Sequence, residues 1–278
     1  MTNIYSLKGS VAGEIETPQV FKTQYRPDLI QRAVVAVQAN KRQVYGNDPL
    51  AGMRTSASYF GSRRHSYRMT INREQARLPK EKPGGGGLGK VRMVPQSVGG
   101  RRAHPSKKKD WTKNINRKEH LFALKSAISA TADIDLITAR GHRPNINNEN
   151  FDKNSYPLIV EDSFESLNKT KEVTEVLNNL GLNADLKRAD YRKVRAGKGT
   201  MRGRKYMKRK SVLIVVNDDR GIVNGAKNIP GVDVATLDDL TVYYDSIELF
   251  APGTHAGRLT LWTKSAIENL DENLIEII

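Results

Sequence analysis

Roughly seventy consecutive residues, from about Gly46 to Lys118, carry almost no apolar periodicity. Between Arg54 and Lys118 there are 18 Lys+Arg and 3 acids, a four-glycine run at Gly84 to Gly87, and Pro79, Pro83, Pro95 and Pro105. Loops beyond about 12–15 residues without secondary structure are uncommon in a compact domain and signal function or disorder. This segment cannot bury enough apolar surface to offset its ordering entropy, and its cations repel one another. The expectation is an insertion that stays extended in the free chain and orders only against an anionic surface. A fold has to be built from the residues on either side of it.

A second basic stretch, Lys187 to Lys210, holds 12 Lys+Arg and one acid, with Gly197, Gly199 and Gly203 leaving its backbone free to follow another molecule closely. The last 68 residues, Ser211 to Ile278, carry 4 Lys+Arg against 11 Asp+Glu, a net of −7. The whole chain is +16, so residues 1–210 carry +23. Such an excess attracts a polyanion, either nucleic acid or an acidic membrane surface. No apolar run approaches the ~18 residues of a membrane span. Met1 to Val20 lacks a secretory pattern, and the absence of cysteine excludes disulfides, thiol chemistry and thiolate zinc sites. A soluble intracellular, cytoplasmic protein is expected.

Outside the basic stretches the pattern is that of an α/β body, with a mostly parallel sheet flanked by helices. Asn3 to Leu7 and Val11 to Glu16 alternate weakly about Lys8-Gly9-Ser10, as in a hairpin. Pro27 suits the first position of a helix, with Asp28 in its first turn and Leu29, Ile30, Ala33, Val34 and Val37 on one face. A second helix fits Asn116 to Ala130, with Leu121, Phe122, Leu124 and Ile128 inward and His120 structural. Val173, Val176, Leu177 and Leu180 repeat at helical spacing, with Gly181 as the cap. Leu158–Val160, Val212–Val216, Val232–Ala235 and Leu259–Trp262 read as strands, the second buried on both faces. A last helix carries Ile267, Leu270 and Leu274. Strand and helix alternate here, which favours parallel pairing. The expected division is a body of 1–45 with 114–278, an extended loop of 46–113, and a shorter loop of 187–210 within the body.

No motif carries convincing catalytic chemistry. Gly84 to Lys90 resembles a phosphate-cradling loop, but Val91 stands where a magnesium-binding Ser or Thr is needed, and the residues before it cannot form the required buried strand. Ala196-Gly197-Lys198-Gly199-Thr200 is a weaker look-alike. The histidines at 65, 104, 120, 142 and 255 have no metal-ligand spacing. Apart from His120, they fit base stacking or phosphate contact and solvated loop positions equally well. Asp218-Asp219 follows a strand where α/β enzymes often place a site, but Asn217-Asp218-Asp219-Arg220-Gly221 is a good turn and no partner acid, base or ligand is evident. Neither a cofactor nor a small-molecule substrate is expected.

The basic stretches carry the functional signal, because lysine and arginine neutralise phosphates and release counterions. The candidates are Arg54, Arg63, Arg64, His65, Arg68, Arg73, Arg77, Lys90, Arg92, Arg101, Arg102, His104 and Lys107 in the first stretch. In the second they are Arg192, Lys193, Arg195, Lys198, Arg202, Arg204 and Lys205. Paired guanidinium groups, as at Arg63-Arg64 and Arg101-Arg102, suit phosphate forks and base stacking. Tyr59, Phe60, Tyr67, Trp111, Tyr191 and Tyr206 lie among them, and an aromatic beside cations can stack on an unpaired base for about 1–3 kcal/mol.

Six segments in order resemble one family, the ribosomal protein L-four of the large subunit in its archaeal and eukaryotic form. They are Asp48 to Ala57, Val98 to Pro105, Lys125 to Ala132, Ala139 to Arg143, Arg195 to Lys205 and Ala251 to Leu259. The resemblance implies an α/β domain on the outside of the large subunit, with residues 46–113 threading through ribosomal RNA toward the wall of the nascent-peptide tunnel. Near the loop tip the family has a Trp-Gly-Thr-Gly-Arg type of segment; this chain reads Tyr59-Phe60-Gly61-Ser62-Arg63-Arg64, which puts the tip at Phe60, Gly61, Ser62, Arg63, Arg64 and His65. The implied partners are large-subunit ribosomal RNA, neighbouring large-subunit proteins and the passing nascent peptide. An RNA-processing enzyme with a basic arm would need a pocket of convergent acid and base groups. A non-ribosomal RNA or DNA chaperone would need disorder alone.

Overall fold

A computed structural model describes residues 2–59, 76–81, 89–107, 109–144, 156–242 and 245–272. The chain opens with β1 (Thr2–Tyr5) and β2 (Val11–Ile15), an antiparallel pair joined across the Gly9 turn. Helix α1 (Pro27–Asn40) starts on its proline, with Asp28 in the first turn. After the long insertion come α2 (Arg117–Ser129) and α3 (Ile134–Ala139), the latter capped by Asp133, whose carboxylate accepts from the Asp135 N–H. Then follow β3 (Leu158–Val160), α4 (Thr170–Asn179) and α5 (Asn183–Asp190). A short ribbon of β4 (Lys193–Val194) and β5 (Tyr206–Met207) leads into β6 (Leu213–Val216), α6 (Ile222–Ala226) and β7 (Asp233–Thr236). The described chain closes with α7 (Leu237–Val242), α8 (Ser246–Phe250), β8 (Thr260–Thr263) and α9 (Lys264–Glu268).

Six strands form one sheet in the order β2-β1-β3-β8-β6-β7. Every neighbouring pair is parallel except β1 with β2. Successive strand residues point to opposite faces, so a continuous apolar run demands cover on both. In β6, Leu213 and Val215 enter one apolar cluster and Ile214 and Val216 the other. The first cluster is completed by α1, α2, α7, α8 and α9, the second by α3, α4 and α6. Trp262 of β8 anchors the first, stacked on Phe250 at 5.9 Å and met edge-on by Phe21 at 5.6 Å. The result is a mixed α/β body with a mostly parallel sheet between two helical layers.

Two expectations change. Phe122 is 37% exposed instead of inward; successive helix residues are about 100° apart, and Leu121 and Leu124 already hold the core side of α2. The basic stretch expected as a loop from Lys187 begins inside α5, because Asp185 and Ala189 are buried one turn apart and Leu186 packs on the second cluster. The remainder of that stretch includes the β4–β5 ribbon. Leu274 lies outside the described residues.

Contacts divide the chain into two units, Met1–Lys41 with Thr112–Ile278, and Arg42–Trp111. At the neck of the first unit the Asn40 amide accepts from the Lys113 N–H at 2.9 Å and donates to its carbonyl at 3.3 Å. Within the second unit the two limbs of the insertion lie side by side. The Asn47 N–H donates to the Ser106 carbonyl, and Lys80 bridges antiparallel to both Ser58 and Val91. Gly52, at φ +76°, comes so close to the other limb that a Cβ would sit 2.6 Å from the Gly100 carbonyl oxygen. Only glycine fits there, and it joins the Asp48–Ala57 segment to the Val98–Pro105 segment.

Candidate nucleic-acid interface

The β4–β5 ribbon is short, two residues per strand, so its own hydrogen bonds set its shape. The Arg195 N–H donates to the Lys205 carbonyl at 2.8 Å, and the Arg195 side chain donates to the Arg204 carbonyl at 3.1 Å. Thr200 donates its hydroxyl to the Arg195 carbonyl, which commits the group a phosphate-loop look-alike would need. Gly197 and Gly203 take positive φ with open space around them. Nearly every side chain from Tyr191 to Lys210 points to solvent. Arg188 pairs with Asp185 and Lys210 with Asp233. Arg192, Lys193, Arg195, Lys198, Arg202, Arg204 and Lys205 have no acidic partner among the described residues. The same surface exposes Tyr191 at 61%, Met201 at 81%, and Val194, Tyr206 and Met207 near half. Lys205 lies 5.5 Å over the Tyr206 ring and Arg209 5.7 Å over the Tyr191 ring. Unpaired cations interleaved with exposed apolar and aromatic groups make a surface suited to a polyanion with stacking faces.

In the second unit Arg54, Arg77, Lys90, Arg102, His104 and Lys107 are exposed, as is Tyr59. Arg54 pairs with Asp48. Arg92 is half-buried, bound to Glu81 at 2.8 Å and to the Val98 carbonyl at 2.8 Å, so it braces the limb beside Arg101. Trp111 is also engaged within the chain: Arg42 lies 4.1 Å and Lys109 4.7 Å from its ring centre, and Tyr45 stacks at 6.3 Å. Phe60, Gly61, Ser62, Arg63, Arg64, His65, Tyr67, Arg68, Arg73 and the Gly84 to Gly87 run lie outside the described residues.

Beneath the ribbon sits a buried ionic cluster that sequence reading missed. The Asp185 carboxylate is fully buried and accepts from Arg188 Nε at 2.8 Å, the Ser211 hydroxyl at 2.6 Å and the Arg143 N–H at 3.0 Å. Its two oxygens each lie 3.2 Å from His142 Nδ1. Burial opposes the charge, yet His142 and Arg188 hold its pKa well below the usual carboxylate range. His142 is buried too, which lowers its pKa despite Asp185. Buried in this way, it is neither a solvated loop side chain nor an open face for base stacking. Arg188 reaches on to the Lys210 carbonyl at 2.7 Å and so ties α5 to the foot of the ribbon. Arg258 is fully buried, donating to the Ser211, Leu249 and Gly231 carbonyls and pairing with Asp233. The only advance signal for it was its place in the Ala251 to Leu259 segment.

The carboxyl ends of β6 and β8, where an α/β enzyme would place its chemistry, are closed by structural bonds. Buried Glu165 accepts from the Asn217 N–H at 3.0 Å and the Thr263 hydroxyl at 2.9 Å. Asp219 accepts from the N–H groups of Gly221 and Val223 at the start of α6, and Asp218 from the Asn217 amide. The Asp218-Asp219 pair is thus a turn. Among the described residues no group of His, Asp and Glu could hold a metal ion, and no helix is long and apolar enough to cross a membrane.

Residues 15–273 match the sequence model of the Ribosomal protein L4/L1 family. Over 271 residues the chain is 47% identical to the large ribosomal subunit protein uL4 of Archaeoglobus fulgidus, covering 97% of each. It is 43% identical to the protein of the same name from Methanosphaera stadtmanae, covering 97% of this chain and 96% of that one. The counterpart in Methanopyrus kandleri is 45% identical, with 98% of each chain covered.

Proposed function

The chain belongs to the ribosomal protein L4/L1 family, and from that premise we propose how its parts engage the ribosome. It is a structural protein of the large ribosomal subunit, not an enzyme. The α/β body packs against ribosomal RNA through the 191–210 ribbon, whose cations neutralise phosphates while Tyr191 and Tyr206 offer stacking faces. Residues 46–113 are the RNA-embedded insertion, with Arg54, Arg77, Lys90, Arg101, Arg102, His104 and Lys107 on phosphates. Its tip at Phe60 to His65 meets the nascent peptide at the tunnel wall. Neighbouring large-subunit proteins complete the contacts, and locking RNA helices together during assembly is the mechanism.

The observation that carries this reading is the ribbon: seven cations without an acidic partner among the described residues, beside exposed tyrosines and methionines. Sedimentation of the tagged protein from a cell lysate on a high-salt gradient tests it. Stoichiometric retention in the large subunit is expected. Release to the top of the gradient would leave a peripheral RNA binder and overturn the assignment of these surfaces to ribosomal RNA.

A further inference from the structure

Beside the foot of the ribbon, the first unit contains a cavity of roughly 580 Å³ walled by α3, α5, residues 209–210 and the 252–256 turn. Its charged and titratable lining is Arg140, His142, Arg188, Arg209, Lys210 and His255; no carboxylate lines it among the described residues. Asp185 stands behind the wall and accounts for Arg188 and His142, and Asp233 accounts for Lys210. Arg140 and Arg209 have no acid among the described residues. Arg140 donates through Nη2 to the Pro252 carbonyl at 2.8 Å, while its Nη1 is enclosed and has no acceptor among the described residues. Burial, and then the charges of Arg258 and Arg188, push its pKa down to about 10. Cations crowded around one cavity with no carboxylate in its lining are stabilised by an anion. Tyr25, 39% exposed, also lines the cavity. Arg209, which lies over the Tyr191 ring, links the cavity to the ribbon.

We infer that this cavity is a phosphate site, in which the Arg140 and Arg209 guanidinium groups together hold one backbone phosphate of the RNA that lies along the ribbon. The inference rests on the RNA-binding reading above and adds to it a discrete site in the body, outside both basic stretches as the sequence defines them at Arg140. Guanidinium is suited to this role because its fork pairs two donors with two phosphate oxygens.

The test uses the full chain, a large-subunit ribosomal RNA fragment, and binding measured across a salt series. Each neutralised phosphate contributes about 0.7 for single strands to about 0.9 for a B-form duplex to the slope of log K against log salt. Arg140→Gln and Arg209→Gln should each flatten the slope, and the double variant should lose about one unit, not two, because both groups share one phosphate. Arg209 is exposed and its side chain makes no ion pair among the described residues, so its variant remains informative if Arg140→Gln folds poorly. A second arm adds inorganic phosphate and follows thermal unfolding. The free ion should protect wild type more weakly than the RNA fragment does, and the double variant should lose that protection. Unchanged slopes in both variants, with wild type still steeply salt-dependent, would overturn the cavity site and leave the RNA reading intact. A wild type that shows no salt-dependent RNA binding would overturn the RNA reading itself. Protection by inorganic phosphate alone would then assign the cavity to a free anion and overturn its assignment to RNA.

Discussion

Asp185 shows how one buried side chain can hold an exposed surface in place. It binds His142 and Arg188, and Arg188 in turn binds the Lys210 carbonyl at the ribbon's end. Replacing Asp185 by Asn would leave a nearly buried Arg188 without its counter-ion. Removing one partner of a buried pair costs about 3–5 kcal/mol, and urea unfolding at pH 7 should show a loss of that order. The pH dependence follows from the same cluster. His142 is held below its ordinary 6.5 when folded, so its contribution is complete above pH 6.5 and is lost as pH falls through the lower folded value. The unfolded imidazole takes up its proton first. Asp185, also depressed, adds a second loss below about pH 3.8. The urea midpoint should therefore fall with acidification from pH 6.5 downward, and His142→Gln should flatten that first segment.

The β4–β5 ribbon shows at the scale of an element that strand pairing need not build a core. Its four strand residues are all exposed, so its sequence is free to serve a partner, and turn bonds within residues 195–205 keep its form. Replacing Arg202, Arg204 and Lys205 together by alanine should leave thermal stability nearly unchanged, since exposed substitutions are usually within about 0.5 kcal/mol each. The same variant should bind ribosomal RNA more weakly, with a salt slope flatter by up to about 2.7 if each cation covers one phosphate. An unchanged slope would take these residues off the RNA. The closed carboxyl ends of β6 and β8 make the complementary point: Glu165 spends the sheet's usual site on structure.

For the whole molecule, the Asn40–Lys113 hydrogen bonds hold the two ends of the body's chain together where the insertion departs. A chain in which a short glycine-serine linker replaces residues 42–111 should retain a cooperative unfolding transition, because both apolar clusters lie in the remaining residues. It should incorporate poorly into large subunits when followed by gradient sedimentation. Loss of cooperative unfolding would show that the body needs the insertion to fold.

The sequence by itself determined what depends on near neighbours along the chain. The continuous run at Val212 to Val216 required a strand covered on both faces, Pro27 and Asp28 marked the start of α1, and the imbalance of charge separated the cation-rich segments from the acidic end. Local periodicity and end chemistry act over a few residues, so they are written in order along the chain. Only the tertiary structure decided the strand order, the inward turn of His142, the outward turn of Phe122, the helix within the charged stretch at Lys187, and the cavity that Arg140 and Arg209 both line. Each of these depends on residues tens of positions apart being brought together. A charged or polar side chain then takes its role from the partners and burial it meets there, and its own identity does not specify them.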